Sequence, residues 1–364
     1  MNILMASKIF VNSGVASHIK ILSSELVARG HTLYITSSNN LHKDFCAEKG
    51  IEFFQCGFSL SPRSFLSDLK RLKTFLQEKD IDIVHCHHRT CGVYMRILSA
   101  LTGVPFVWSN HLDDIPCDLI HRKTTFYGSK VICVSSHLKR FCMQQLRIPE
   151  KDIEVIIHGV TPSEYAIQDE YVADFKEKHG IRDEKIIGLF ARMAPMKDHA
   201  CLIDALALMS KEDIVKTKTV LFGGTEGEYV DQLKEKISQL SLEDHIIFEG
   251  YVTPGQALSL SDITVLPSVK EGFGIVSIES FLMKKPHIRT KTAGYEDIQE
   301  GCIGFDVGDS EALSKELTAF AQGKDYSELI HKAYDLFWEK CTVERMTEYI
   351  EKVYTEACAK KSKP

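Results

Sequence analysis

Two permanent cations, Arg192 and Lys197, stand five positions apart in the stretch Gly188-Leu-Phe-Ala-Arg-Met-Ala-Pro-Met-Lys-Asp-His199. A guanidinium can hold phosphate oxygens through two hydrogen bonds at once, and an ammonium adds a point charge. Both follow an apolar run ending near Phe190 and precede a helical pattern, whose first amides would face the same anion. Taken alone the pair is a weak signal, and two solvated surface cations are the plainer reading. A second segment runs Leu266-Pro-Ser-Val-Lys-Glu271-Gly-Phe-Gly274-Ile-Val-Ser-Ile-Glu279. Its two carboxylates flank a Gly-Phe-Gly turn that opens a helix. Glycine lets the backbone approach a ligand closely, and the freed amides at the helix start suit a diphosphate. Glu271 and Glu279 could accept hydrogen bonds from two parts of one bound molecule; the plainer alternative is a helix cap and one exposed glutamate.

Other segments carry less. Leu221-Phe-Gly223-Gly224-Thr-Glu-Gly227 and Phe248-Glu-Gly250-Tyr251-Val252 are glycine-rich turns after apolar runs, and either could be structural. Asn12-Ser-Gly14-Val-Ala-Ser-His18 is a small-residue loop of the kind that faces phosphate. Asp82-Ile-Val-His85-Cys-His87-His88 puts three histidines at a strand end, and Ser109-Asn-His111-Leu-Asp113-Asp114 follows another strand. Imidazole is a common zinc ligand, but no carboxylate or thiolate nearby completes a familiar metal spacing, so no metal is expected.

These residues need strands and helices to place them. In the first half, strands are expected at Asn2–Ala6, Thr32–Thr36, Ile83–Cys86, Phe106–Ser109 and Val131–Val134, with a helix at Ala16–Arg29 ended by Gly30. A second series offers strands at Ile186–Phe190, Thr219–Phe222, Ile246–Phe248, Ile263–Leu266 and His287–Arg289. Its helices are expected at His199–Met209, Glu228–Gln239, Ile275–Met283 and Glu311–Ala321. Alternating elements with β-branched strands imply two parallel, doubly wound α/β sheets. The polar stretch 160–185 reads as their connector, Val343–Cys358 as a final helix, and Lys360–Pro364 as a frayed tail. Ligands of such sheets sit beyond the carboxyl ends of the strands. Neither half carries GxGxxG, so a dinucleotide cofactor is poorly supported.

The chain has 364 residues, enough for two domains. No apolar run approaches a membrane span, and Met1–Lys8 is too short and too soon interrupted for a signal peptide. Eleven cysteines without a CxxC pair suggest reduced thiols in a cytoplasmic protein, with Cys86, Cys133 and Cys201 as small core residues. Residues 1–160 carry a surplus of five positive charges and the rest a surplus of eleven negative ones. A basic half can favour an anionic membrane or a phosphorylated acceptor, and chance asymmetry on solvated faces reads as well. Ser61–Lys79 forms an amphipathic helical pattern with a Phe65, Leu69, Leu72, Leu76 stripe beside Arg63, Lys70, Arg71 and Lys73. It would lie on an anionic surface or cover a sheet. No nucleic-acid partner is expected.

With these motifs in order, the chain resembles the GT-B retaining glycosyltransferases of family 4, the group 1 glycosyl transferases. Glu271-Gly-Phe-Gly…Glu279 looks like the family's pair of glutamates separated by seven residues, and Arg192 and Lys197 match its donor-phosphate cations. Asp82-Ile-Val-His85-Cys-His87, Val131-Ile-Cys-Val-Ser135, His158-Gly-Val160 and Thr292-Ala-Gly294 fall in family order. The resemblance implies a GT-B fold, two Rossmann-like domains facing an interdomain cleft. The expected domains are 1–165 for the acceptor, 166–340 for the nucleotide-sugar donor, and a 341–364 helix packing back on the first. It implies catalytic roles for Arg192, Lys197, Glu271 and His111, the cations neutralising the donor diphosphate, Glu271 holding sugar hydroxyls and His111 approaching the sugar. Donor contacts would come from Gly14, Tyr251, Val252, Phe273, Gly274, Ile275 and Glu279, with Glu279 on the ribose and Tyr251 and Val252 beside the base. Three positions depart from the pattern: Ser13 before Gly14, Ala191 before Arg192, and His158 where an asparagine is usual.

The implied activity is retaining, metal-independent hexosyl transfer from a nucleoside-diphosphate sugar, UDP favoured over GDP, to a glycan or lipid-linked acceptor in cell-surface polysaccharide or lipopolysaccharide synthesis. The nucleotide sugar is substrate, so no cofactor is expected. The protein would be cytoplasmic, and peripheral on the inner face of the cytoplasmic membrane if the basic helix docks there. Alternatives are a sugar-nucleotide 2-epimerase or a phosphorylase of the same fold, and a non-catalytic nucleotide-sugar binder.

Overall fold

A computed structural model describes residues 1–11 and 13–359. Asn12, from the small-residue loop, and the Lys360–Pro364 tail lie outside the described residues. The chain divides into two α/β units, Met1–Gly159 with Val343–Pro364, and Val160–Thr342. Both sheets are parallel, as the β-branched runs require, and the two-unit GT-B architecture stands. Among the described residues no helix is long and apolar enough to cross a membrane.

The first unit holds strands β1 (Asn2–Ala6), β2 (Thr32–Ser37), β3 (Glu52–Gln55), β4 (Ile83–Cys86), β5 (Phe106–Asn110), β6 (Val131–Cys133) and β7 (Ile153–Val155). Their order is β3-β2-β1-β4-β5-β6-β7. In β1, Ile3, Leu4 and Met5 are fully buried, because helices cover both faces of a parallel sheet. Strand β1 pairs with β2 on one side and β4 on the other, with Met5 opposite His85 and Ala6 opposite Cys86. The chain thus winds outward in two directions from the β1–β4 boundary, and the loops beyond those two strands diverge to leave a crevice.

The second unit holds β8 (Lys185–Phe190), β9 (Thr217–Phe222), β10 (Ile246–Glu249), β11 (Ile263–Leu266), β12 (His287–Thr290) and β13 (Ile303–Phe305). Their order, β10-β9-β8-β11-β12-β13, puts the reversal between β8 and β11. Arg192 and Lys197 follow β8, and Glu271 follows β11, so the sequence motifs fall at this switch point.

Two unit boundaries and the reading of one segment differ from expectation. The division falls at Gly159/Val160 rather than 165/166, and at Thr342/Val343 rather than 340/341. Val160 and Thr342 form a parallel bridge, and the Val160 amide donates to the Cys341 carbonyl at 3.1 Å, which ties both crossing strands to the second unit. The 160–185 stretch is more than a connector. It contains a helix, Asp169–Lys178, that buries Phe175 beside Ile186 and Phe222. The helix Val343–Ala359 belongs to the first unit. Its Val343, Met346, Ile350, Val353, Tyr354 and Ala357 recur at helical spacing and are buried with Ile19, Leu22 and Leu26 of the helix Gly14–Ala28. Glu351 fastens it by accepting from Arg29 at 2.9 Å and meeting His31 Nε2 at 2.8 Å.

Helix Pro62–Glu78 buries Leu72, Phe75 and Leu76 and half-buries Phe65 and Leu69, while Leu66 stays 68% exposed. Its apolar stripe therefore covers the sheet, and its Arg63, Lys70 and Arg71 face outward.

Candidate active site

Strand β8 ends at Phe190, and the chain enters a loop at Ala191 that Gly223 presses against. A Cβ on Gly223 would lie 2.1 Å from the Ala191 carbonyl oxygen, so only glycine admits this approach. Gly223 also has φ of 126°, outside the range most side chains tolerate. The glycine-rich turn after β9 therefore has a definite purpose: it brackets Arg192, whose exposed guanidinium has no hydrogen bond or ion pair within the unit among the described residues. Met193 and the exposed Tyr251 both lie 3.8 Å from the position a Gly224 Cβ would take. Val252 is half-buried in the adjoining apolar cluster.

One short 3-10 turn, Pro195–Lys197, then presents Lys197. Its ammonium donates to Glu271 Oε1 at 2.6 Å, across 74 residues of sequence. The two loops are joined a second time where the Val269 amide donates to the Met196 carbonyl at 3.0 Å. Two residues expected to serve different parts of a ligand are thus already partners. Glu271 is 9% exposed, so a charge-assisted bond here escapes much of the solvent screening that weakens surface pairs.

Gly274, at φ 89°, starts the helix Ile275–Leu282, and no side chain caps that helix. The half-buried Ile275 follows it. The first amides of the helix therefore keep their capacity for an anion. Phe273 is buried, so only its backbone is available at the turn. Its carbonyl accepts from Arg289 Nη1 at 2.7 Å. Arg289 is itself fully buried; it also donates to Ser277 Oγ at 3.0 Å and to the Ala293 carbonyl at 2.9 Å. Ser277 in turn meets His287 Nε2 at 2.9 Å, and His287 Nδ1 meets Thr264 Oγ1 at 2.8 Å. This network locks the Gly-Phe-Gly turn to β11 and β12. Gly294 completes it, since a Cβ there would lie 2.3 Å from the Phe273 carbonyl oxygen.

One turn into the same helix, Glu279 is buried and accepts from the Tyr165 hydroxyl at 2.6 Å. Burial pushes its carboxyl up to about 7, against the opposing effect of that bond. The folded protein then holds a proton that the unfolded chain releases between about pH 4.5 and 7, so stability from this group falls as pH rises through that window. The loss is on the order of 3 kcal/mol. Glu279→Gln cannot titrate. Its melting temperature relative to the parent is expected to rise between pH 5 and pH 8; parallel melting curves across that range would refute the assignment.

The expected site residues of the first half belong to the first unit. Gly14 begins the helix Gly14–Ala28, capped by Ser13, whose Oγ accepts from the Ala16 amide at 3.2 Å. A Cβ on Gly14 would meet nothing within 4 Å, so nothing in the unit requires glycine there. His111 follows β5 and meets His87 Nδ1 through Nε2 at 3.2 Å. His85 lies between Tyr354 Oη and Ser109 Oγ, each 2.7 Å away, and burial pulls its imidazole down to about 3. It is a core residue joining β4 to the last helix.

Sequence reasoning missed Tyr165 and Arg289. Tyr165 carries no local signal. Arg289 carried one: a cation inside the apolar strand His287–Arg289.

Residues 12–164 match the model of Glycosyltransferase Family 4, and residues 172–335 match that of Glycosyl transferases group 1. The chain belongs to the group 1, family 4 glycosyltransferases. Similar proteins include an uncharacterized glycosyltransferase of Methanocaldococcus jannaschii, 26% identical over 310 residues and 78% of each chain. The N-acetyl-alpha-D-glucosaminyl L-malate synthase of Bacillus anthracis is 23% identical over 92% of this chain and 91% of its own. Among solved structures, Anabaena HepE in complex with UDP superposes with a TM-score of 0.84 at 19% identity, covering 98% of this chain and all of that one. That similarity carries the GT-B fold to this glycosyltransferase.

Proposed function

We propose that this glycosyltransferase is a hexosyltransferase that takes a nucleoside-diphosphate sugar, UDP-linked in preference to GDP-linked, and that its second unit holds the donor. The observation that carries the reading is the meeting of Lys197 with Glu271 at the β8–β11 switch point, beside an uncapped helix start. HepE, whose fold this chain shares, was crystallised with UDP and with UDP-glucose, which favours uridine.

When the bond from the anomeric carbon to the diphosphate breaks, the leaving group gains negative charge. Fixed cations that hold it more strongly as that charge develops lower the barrier. Arg192, Lys197 and the amides after Gly274 supply that field, so the diphosphate needs no divalent metal. Arrival of the diphosphate draws Lys197 from Glu271, freeing the carboxylate for sugar hydroxyls. Glu279 accepts from the ribose in place of Tyr165, and Tyr251 and Val252 flank the base. The acceptor hydroxyl attacks the same sugar face and gives its proton to a departing phosphate oxygen, which retains the anomeric configuration. The acceptor is a glycan or lipid-linked saccharide of the cell surface, and the basic outer face of helix Pro62–Glu78 suits an anionic membrane.

Nucleotide release and sugar transfer should be measured with a panel of UDP- and GDP-sugars, with and without saccharide acceptors. The expected result is UDP release that depends on acceptor and yields a retained glycoside. Acceptor-free conversion of the donor to an isomeric nucleotide sugar would replace this reading with a 2-epimerase.

A further inference from the structure

The first unit carries a second constellation that the transfer reading does not use as a whole. His18 sits in the helix Gly14–Ala28, His87 follows β4, and His111 follows β5. They come from separate segments of the chain, yet one ring nitrogen from each lies within 4.8 Å of the other two. All three therefore cluster at the switch point between β1 and β4 of the seven-stranded sheet. Spacing along the sequence gave no hint of this, because His18 is far from the Asp82–His88 motif.

We propose that His18, His87 and His111 form a mononuclear site for a divalent transition-metal ion of the zinc class, with a fourth position open to an oxygen ligand.

Three features of the geometry support it. First, His87 Nδ1 and His111 Nε2 are 3.2 Å apart. Two nitrogens bound tetrahedrally to zinc at about 2.0–2.1 Å lie about 3.4 Å apart, so this pair already has the edge length of a coordination shell. Second, the outer nitrogens of His87 and His18 are anchored. His87 Nε2 faces the Met5 thioether at 3.5 Å, an acceptor only, which places the proton on Nε2 and leaves the Nδ1 lone pair toward the cluster. His18 Nδ1 meets His158 Nδ1 at 2.9 Å. Such outer contacts fix ring orientation in metal sites. Third, His18 Nε2 is buried without a hydrogen-bond partner among the described residues, on a side chain only 3% exposed. A buried polar atom left unpaired is costly, and coordination satisfies it. Three imidazoles without a thiolate or carboxylate match borderline metals rather than magnesium or calcium. The site rests on the first unit alone and stands whether or not the transfer reading does.

The full chain should be dialysed with zinc or cobalt(II) and its bound metal counted, alongside zinc-edge anomalous scattering from soaked crystals. The expected result is about one equivalent per chain and an anomalous peak about 2.0–2.3 Å from nitrogens of the three histidines. His18→Ala and His87→Ala should each weaken binding by about 100-fold, whereas His137→Ala, which meets Asp113 at 2.9 Å, should leave it unchanged. If either variant fails to fold, the anomalous map of the parent protein still decides. Absence of a peak among these rings, or zinc held only at cysteines, overturns the proposal.

Discussion

Lys197→Ala is expected to lower turnover at saturating donor by about 10- to 150-fold, the equivalent of one charge-assisted contact of about 1.5–3 kcal/mol. Two effects act together. The departing diphosphate loses a cation, and Glu271, 9% exposed and bonded to Lys197 at 2.6 Å, loses the partner that neutralises it. An unpaired carboxylate beside a diphosphate repels it. Arg192→Ala should also slow turnover by at least ~10-fold, but Arg192 is exposed and leaves no orphan behind. The structural and chemical roles of Lys197 separate in a double variant. Adding Glu271→Gln to Lys197→Ala should restore much of the lost thermal stability and none of the turnover. Kinetics of Lys197→Ala indistinguishable from the parent at saturating donor would refute the phosphate role.

The largest loss of stability is expected at Arg289. Arg289→Met keeps most of the volume but removes every donor. It removes the guanidinium bonds to the buried carbonyls of Phe273 and Ala293, each worth about 1–3 kcal/mol, so a total loss of about 3–5 kcal/mol is expected in urea unfolding. Burying a guanidinium is itself unfavourable, and removing it recovers part of that. The lost donors outweigh the gain because the guanidinium joins two loops at once, donating to the Phe273 carbonyl of one and the Ala293 carbonyl of the other. Arg289→Lys should not rescue, since one ammonium cannot span two loops as a fork does. The positioning role adds a second readout. The Gly-Phe-Gly turn would loosen, so donor affinity should fall even under conditions where the variant is folded. A loss below about 1 kcal/mol would mean the network is dispensable.

The parts of the fold that sequence revealed are those where burial is strongest. Asn2–Ala6, Ile83–Cys86 and Ile263–Leu266 sit in sheet interiors with near-continuous apolar runs, and their strands fall where the pattern put them. The strands it passed over, Glu52–Gln55, Ile153–Val155 and Ile303–Phe305, are all at sheet edges, where one side is solvated and the apolar run breaks. The helix Asp169–Lys178 escaped because its apolar face is one short patch, Phe175 buried with Tyr171 and Val172 half-buried beside it, among charged residues.

The site divides the same way. Residue types that do chemistry were visible as types: Arg192, Lys197, Glu271 and Glu279 each follow or open an element whose end had a glycine or proline marker. Their partners were not visible, because pairing is tertiary. Tyr165 reaches Glu279 over 114 residues, and His18 reaches His158 over 140. His158, seen in the sequence only as a departure from the family's asparagine, turns out to anchor a neighbouring imidazole.

The central claim is that the cations after β8 grip a nucleotide diphosphate while Glu271 and Glu279 take the sugar and ribose. A crystal structure with an intact UDP-sugar tests it most directly. The account predicts diphosphate oxygens about 2.7–3.1 Å from the Arg192 guanidinium and the Lys197 ammonium, with the ribose on Glu279 and the Tyr165 hydroxyl displaced. A nucleotide bound elsewhere, with the Lys197–Glu271 and Tyr165–Glu279 bonds both undisturbed, would contradict it.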